Sequence, residues 1–394
     1  MKKFSTFIRE QDEPQQQQKT LQHIAHPEDR HLMDGHQGFE HAHEALMRAH
    51  AHIKAKQNNS NLTMKYDGSP AIVFGHHPEN GKFFVATKSI GNKNPKINHT
   101  NEDIDRNHGH APGLAQKLKH ALKHLPKVTP KHGVYHGDLM HTREDHHFHE
   151  AVSFTPNTIT YTAKGEHENK IKRSHIGVVV HTQYHGNKVS NLQASPHVDL
   201  HKFKQHPDVH LHGAEHDTSK VTHSEQNEKR FHAHMAAAKK IHDEHGHAAY
   251  SAMHPKHTGE GGHLSTYANH CIKHDETPSV RGFKAHIRRV HEAQASKVKM
   301  EKTKQAKRDE GKKQIDHVTA NNKHYHNMLM MHHHLQQAKN HLVDSLESHT
   351  GHYDHHIGGK KSKPEGFVVN SAHGPDKLVN RSEFAKANLL KSHR

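Results

Sequence analysis

Residues Leu62–Gly75 read LTMKYDGSPAIVFG, and this stretch decides the reading of the chain. Leu62, Met64 and Tyr66 occupy alternate positions, the pattern of a strand with one apolar face. Asp67-Gly68-Ser69-Pro70 is a dense turn signal, and Ala71-Ile72-Val73-Phe74 is an apolar, β-rich run that leaves it. One lysine, Lys65, sits at the mouth of the turn. A lysine beside Asp-Gly in a hairpin is ordinarily a solvated turn residue. Held between apolar strands, it is instead desolvated, and its amine becomes a usable nucleophile.

Before the stretch, Gly38–Lys56 carries Phe39, Ala42, Leu46, Ala49 and Ile53 on one helical face. After it, Lys82–Ile90 (KFFVATKSI) reads as a strand ending in Lys88. Strand, lysine-bearing turn, strand, loop and strand make an antiparallel arrangement, not a βαβ unit. Pro112–Leu125 predicts an amphipathic helix, and His132–Met140 (HGVYHGDLM) a short strand carrying a Gly-Asp pair. Ile159–Thr162 and the nearly all-apolar Ile176–Thr182 are further strands. Residues 187–225 are polar and read as irregular. Residues 224–348 are helical in pattern, and Lys297–Lys313 resembles a solvated helix face. Glu365–Asn370 and Lys377–Val379 return to strand, and Arg381–Leu390 to helix. The fold class expected is α+β: an antiparallel-sheet domain in two parts, 20–223 and 349–394, with a helical insertion over 224–348. The amphipathic segment Met1–Gln11 and a polar linker form residues 1–19.

The chain has 394 residues, enough for a large core, but only 30% are hydrophobic and none is Trp. The net charge of +15 makes a polyanionic partner plausible. There are 57 histidines, and positions such as His332-His333-His334 and His146-His147 read as surface. With histidine so abundant, neither an H-E-x-x-H pair nor zinc-type Cys/His spacing occurs, so no dedicated metal site is expected from motifs. Cys271 is the only cysteine, which fits a reducing compartment. No apolar run approaches membrane-spanning length, so a soluble chain is expected, without a membrane partner.

Four separated β segments carry polar residues of chemical use: Lys65 in KYDGS, Asp138 in YHGDL, Glu365 in EGFVV and Lys377 in DKLV. In this order they resemble the motif series of the covalent nucleotidyltransferases: ATP-dependent DNA ligases, RNA ligases and messenger-RNA capping enzymes. Lys-x-Asp-Gly-Ser and the following Thr87-Lys88-Ser89 look more like RNA ligases. The runs KYDGSPAIVFG, GKFFVATKSIGNKNPK, HGDLMHT, IGVVVHTQYHG and EGFVV are also similar to uncharacterised ligase-like proteins of large tailed bacteriophages. That likeness covers about residues 60–186 and 364–390.

The resemblance implies a nucleotidyltransferase domain. It further implies that Lys65 attacks ATP to form lysyl-AMP, and that 5′-phosphate and 3′-hydroxyl ends of RNA or DNA are then sealed. Lys65, Glu365 and Lys377 would be catalytic. Asp67, Gly68, Lys88, Tyr135, Asp138 and Arg381 would bind the nucleotide, with Tyr135 stacking on adenine. Asp138 and Glu365 would hold Mg²⁺. Two departures stand out: Pro70 replaces the arginine common after Asp-Gly, and Val379 takes the place of a second lysine, for which Arg381 or Lys386 would substitute. The chain ends soon after the last motif, so no OB domain of the DNA-ligase kind is expected. The N-terminal MKKFSTFIRE is similar to the short N-terminal segments on many phage proteins, some of which direct cargo into the prohead, and that likeness implies capsid association. The expected location is the host cytoplasm, with packaging in the virion. A nucleic-acid-binding or virion protein that keeps the fold without catalysis is the alternative, and capping-type transfer a further one.

Overall fold

The structure is a computed structural model and describes residues 24–56, 61–148 and 151–381. The N-terminal segment, its linker and all of the closing helix beyond Arg381 lie outside the described residues. The chain opens with α1 (Pro27–Ala55), which has Pro in its first turn, Glu28 and Asp29 at its positive end, and a kink at Gly35 (φ +62°). There follow β1 (Leu62–Lys65), β2 (Ala71–His76), β3 (Phe83–Ala86) and β4 (Ile97–Asn98), then α2 (Asn101–His108) and α3 (Pro112–His124). Next come β5 (Val134–Thr142), β6 (His147–Phe148), β7 (Val152–Phe154), β8 (Thr160–Ala163), α4 (Glu166–Arg173), β9 (Ile176–His185), β10 (Gln193–Ser195) and β11 (Val209–Gly213). A helical run succeeds them: α5 (Glu225–Ser251), α6 (His263–His274), α7 (Val280–Ser296), α8 (Glu301–Ala320) and α9 (Asn322–Leu346). The chain returns to strand in β12 (Tyr353–Ile357), β13 (Lys360–Lys361), β14 (Gly366–Ser371) and β15 (Gly374–Leu378).

The described strands form three sheets. The largest runs β10-β9-β5-β2-β3-β4, with β11 also on β9; a second runs β13-β12-β8-β7-β6; the third is β1-β14-β15. All pairings between these strands are antiparallel except one. β11 lies parallel to β9, with Val209 opposite Ile176, inside a region expected to be irregular. The reason it escaped notice is that its sequence is VHLHG, and both of its histidines, His210 and His212, are buried.

The helical run is not a detached body. One core joins Phe39, Leu46 and Ile53 of α1, Met64 of β1, Phe154 and Tyr161 of the second sheet, Phe231 of α5, Leu335 of α9, and Phe367 and Leu378 of the third sheet. A buried charge network at the start of α1 reinforces this core. Lys339 of α9 pairs with Glu28, both fully buried, and His332 Nε2 lies 2.9 Å from Asp29 Oδ1. Asp376 of β15 takes Arg30 (2.8 Å) and His41 (2.7 Å) from the same helix.

The surface assignment of the histidines holds for His147, which is exposed, but is corrected for others. His332 and His146 are buried, as are His31, His141, His257 and His355. A neutral imidazole is a small aromatic ring, and desolvation keeps it neutral: burial lowers His257 to about 3 and His355 to about 4.

Candidate functional site

Strand alternation sorts β1 into two faces. Leu62 and Met64 enter the core, so Thr63 and Lys65 face the other way. Thr63 lies opposite Val368 of β14, and Val368 opposite Lys377 of β15, so Lys65 and Lys377 share one face of the third sheet. Lys65 is opposite Gly366, so Glu365 arrives beside it at the mouth of β14, and the Lys65 ammonium pairs with the Glu365 carboxylate. Residues 300 positions apart thus meet through strand register alone.

Asp138 reaches the same place from the largest sheet, where it lies opposite Ala71 and Val179. The Asp67–Pro70 turn folds tightly against it. The Ser69 N–H donates to the Leu139 carbonyl (2.9 Å), and the Leu139 N–H donates to the Pro70 carbonyl (3.0 Å). A Cβ added to Gly68 would stand 2.5 Å from the Asp138 Cβ, so glycine is required there by the approach of the turn to β5. Lys88 opens a short 3₁₀ turn whose preceding Thr87 accepts the Ser89 N–H, and Lys117 of α3 donates to the Ser69 carbonyl at 3.1 Å.

The electrostatics follow from partial burial. Desolvation raises Asp138 to about 6, against the pull of Lys65 and Lys88. Burial also raises Glu365, opposed by Lys65. Lys377 falls to about 8, first through burial and then through repulsion from Lys65, with Lys88 adding to it. His181 Nε2 lies 3.8 Å from Asp138 Oδ2, and burial beside Lys88 and Lys65 lowers its pKa to about 4. His136 stands next to it, ring centroids 4.7 Å apart, also neutral. Three lysines (Lys65, Lys88 and Lys377) stand against three carboxylates (Asp67, Asp138 and Glu365) among neutral imidazoles, a dense cluster of opposed charges. It remains partly open to water, with the Lys65 side chain 28% exposed.

The structure thus brings Lys65, Lys88, Asp138, Glu365 and Lys377 together. Of the other four, Asp67 and Gly68 form the turn beside Asp138, whereas Tyr135 and Arg381 are engaged elsewhere. Tyr135 is corrected: it is buried on the opposite face of β5 from Asp138, packed edge-on against Phe203 with ring centroids 4.7 Å apart, and has no face left for a base. Arg381 is also corrected. Its guanidinium is committed to Glu28, to both Asp29 oxygens (2.9 and 3.0 Å) and to Asn269 (2.6 Å). The Asp67 carboxylate is engaged as well: it accepts from Asn157 Nδ2 (2.8 Å), Thr158 N–H (2.6 Å) and Ile159 N–H (2.9 Å). Asp67 therefore fastens the turn to the loop before β8, and its charge also reaches Asp138 and Glu365 and helps to raise both. Gly68 makes room for Asp138.

His136, His181 and Lys117 were missed. His136 was within reach of parity, since it precedes Asp138 by two on one strand, but His181 sits where the β5–β9 register skips a residue, which only the strand pairing reveals. Nothing in the sequence marked Lys117.

Residues 21–393 match a family described as a family of unknown function (DUF6267). The chain belongs to the DUF6267 family. No curated protein and no solved structure matches it. Among the described residues of this DUF6267 chain, no helix is long and apolar enough to cross a membrane.

Proposed function

We propose that this chain is a covalent nucleotidyltransferase of the ATP-dependent ligase type, acting on polynucleotide ends, with the Lys-x-Asp-Gly-Ser turn favouring RNA over DNA. The observation that carries the reading is the Lys65–Glu365 pair with Lys377 on the same sheet face and Asp138 facing in. The Lys65 amine attacks the α-phosphorus of ATP and pyrophosphate leaves, giving a phosphoramidate-linked AMP. A 5′-phosphate end then takes the AMP from Lys65, and a 3′-hydroxyl displaces AMP to seal the strand.

Lys65 must shed its proton to attack. Glu365, whose pKa is raised by burial, is the carboxylate positioned to take it. Lys377 and Lys88 offset the charge that develops on the phosphoryl oxygens. Glu365 keeps one buried oxygen, Oε2, without a hydrogen bond, and Asp138 adds a second carboxylate. That donor set fits Mg²⁺, which takes oxygen ligands and would neutralise phosphate charge. For the polynucleotide, α7 and α8 expose Arg281, Arg288, Arg289, Lys307, Lys312 and Lys313, suited to a phosphate backbone. Association with a phage capsid through residues 1–19 belongs to the same proposal and rests on the sequence of that segment alone, as does a location in host cytoplasm or virion.

The test is to incubate the chain with α-labelled ATP, and separately GTP, with Mg²⁺, and to run a denaturing gel. Label on the wild type that is lost in Lys65→Ala supports lysyl-AMP. GTP labelling alone shifts the reading to capping-type transfer. If neither nucleotide labels the protein, catalysis is refuted and the basic α7–α8 surface makes a nucleic-acid-binding protein the better reading.

A further inference from the structure

A second group of polar side chains lies away from Lys65, where α1 meets the beginning of α5. Glu228 and His232 are four apart on α5 and so share a face of that helix, and His50 of α1 faces them. The donor atoms of the three residues all lie within 4.8 Å of one another. His50 is 8% exposed, and its Nε2 carries no hydrogen bond, standing 3.8 Å from Glu228 Oε1. Its ring is held in place by Phe231, stacked at 4.8 Å and 13°. Glu228 Oε2 accepts from Lys54 at 3.0 Å, while Oε1 is also 2.9 Å from that ammonium. His223 stands edge-on to His50 (5.5 Å), anchored through Nδ1 to Ser345 Oγ (2.7 Å). Its Nε2 is likewise buried without a hydrogen bond.

We propose that His50, Glu228 and His232 bind one zinc-type divalent cation that braces α1 against α5. A buried nitrogen without a partner is costly in a well-packed chain, and a metal at that atom removes the cost. Two imidazoles and a carboxylate form a recognised zinc donor set. Adjacent donors around a tetrahedral zinc stand about 3.3 Å apart, so small side-chain rotations close the present spacing. The Lys54 ammonium lies against both Glu228 oxygens, so it must withdraw from Oε1 for the cation to take that oxygen, and on Oε2 alone it would orient the ligand. A comparable trio, His36, Glu40 and His242, is a weaker case because His36 Nδ1 and His242 Nε2 already bond each other at 2.7 Å.

The test must separate this site from the many other histidines. The purified full chain is titrated with Co²⁺ in imidazole, which suppresses single-histidine binding, and the visible absorption is followed. The expected result is one equivalent with a tetrahedral-type band, displaced by one equivalent of Zn²⁺. His232→Gln and Glu228→Gln, both at solvent-accessible positions, should each weaken the binding at least tenfold and remove the zinc-dependent rise in melting temperature. A control that changes the exposed His110 and His132 to Gln should leave band and shift intact. A band that survives in both site variants, or that falls equally in the control, means adventitious binding by surface histidines only and overturns the proposal.

Discussion

Asp67→Ala and Asp67→Asn should differ sharply in stability, and the difference reads out what Asp67 does. The carboxylate accepts three hydrogen bonds: one on Oδ1 from Asn157 Nδ2, and two on Oδ2 from the Thr158 and Ile159 N–H groups. Alanine leaves both main-chain donors without this acceptor, and Ile159 is fully buried. At about 1–3 kcal/mol for each of the two stranded donors, the loss comes to about 2–6 kcal/mol. Asparagine has a way out. With its oxygen at the Oδ2 position it still accepts both N–H groups, and its amide nitrogen donates to Asn157 once that side chain flips. Only the charge assistance is lost, about 1–2 kcal/mol. Urea unfolding followed by circular dichroism, with midpoints compared at common slope, measures both. If Asp67→Ala unfolds at the wild-type midpoint while losing nucleotide labelling, Asp67 is a ligand contact and the positioning argument is refuted. Equal midpoints for the two variants would refute the flip.

Gly68→Ala forces a Cβ to 2.5 Å from that of Asp138 and should cost about 1–3 kcal/mol, read in the same urea assay; a neutral result would mean the turn does not press on β5. Lys339→Met should cost about 3 kcal/mol, the low end for a broken buried pair because Arg381 still reaches Glu28, and adding Glu28→Gln should recover part of it. A single-variant loss below about 1 kcal/mol would show the pair to be dispensable. Acid should unfold the chain early. His257, His216 and His355 have pKa values held at about 3, 4 and 4 when folded, against 6.5 when unfolded, so between those values the unfolded state binds more protons. Stability is then complete above about pH 6.5 and falls toward pH 4 by up to about 1.4 kcal/mol per unit for each histidine. Asp138 and Glu365, raised on folding, work in the opposite direction but are outnumbered. A urea midpoint unchanged between pH 7 and 5 would contradict the buried-histidine account.

What the sequence determined by itself was local periodicity. Alternation over Leu62–Tyr66 and the nearly all-apolar run Ile176–Thr182 mark strands, and the spacing of Phe39, Ala42, Leu46, Ala49 and Ile53 marks one buried face of α1, because side-chain direction repeats every 2 or 3.6 residues whatever lies opposite. Lys65 could be placed at a strand end on those grounds, and its meeting with Glu365 and Lys377 was suggested only by motif order. Tertiary structure decided which partner each polar group found. Asp67 went to Asn157, Thr158 and Ile159, Arg381 to Glu28 and Asp29, and Tyr135 to a core on the far side of β5. These pairings join segments some 90 to 350 residues apart, and nothing local encodes them. The histidines show the limit most clearly. An imidazole is polar in a sequence and nearly apolar once desolvated and neutral, so VHLHG reads as loop and folds as a buried strand.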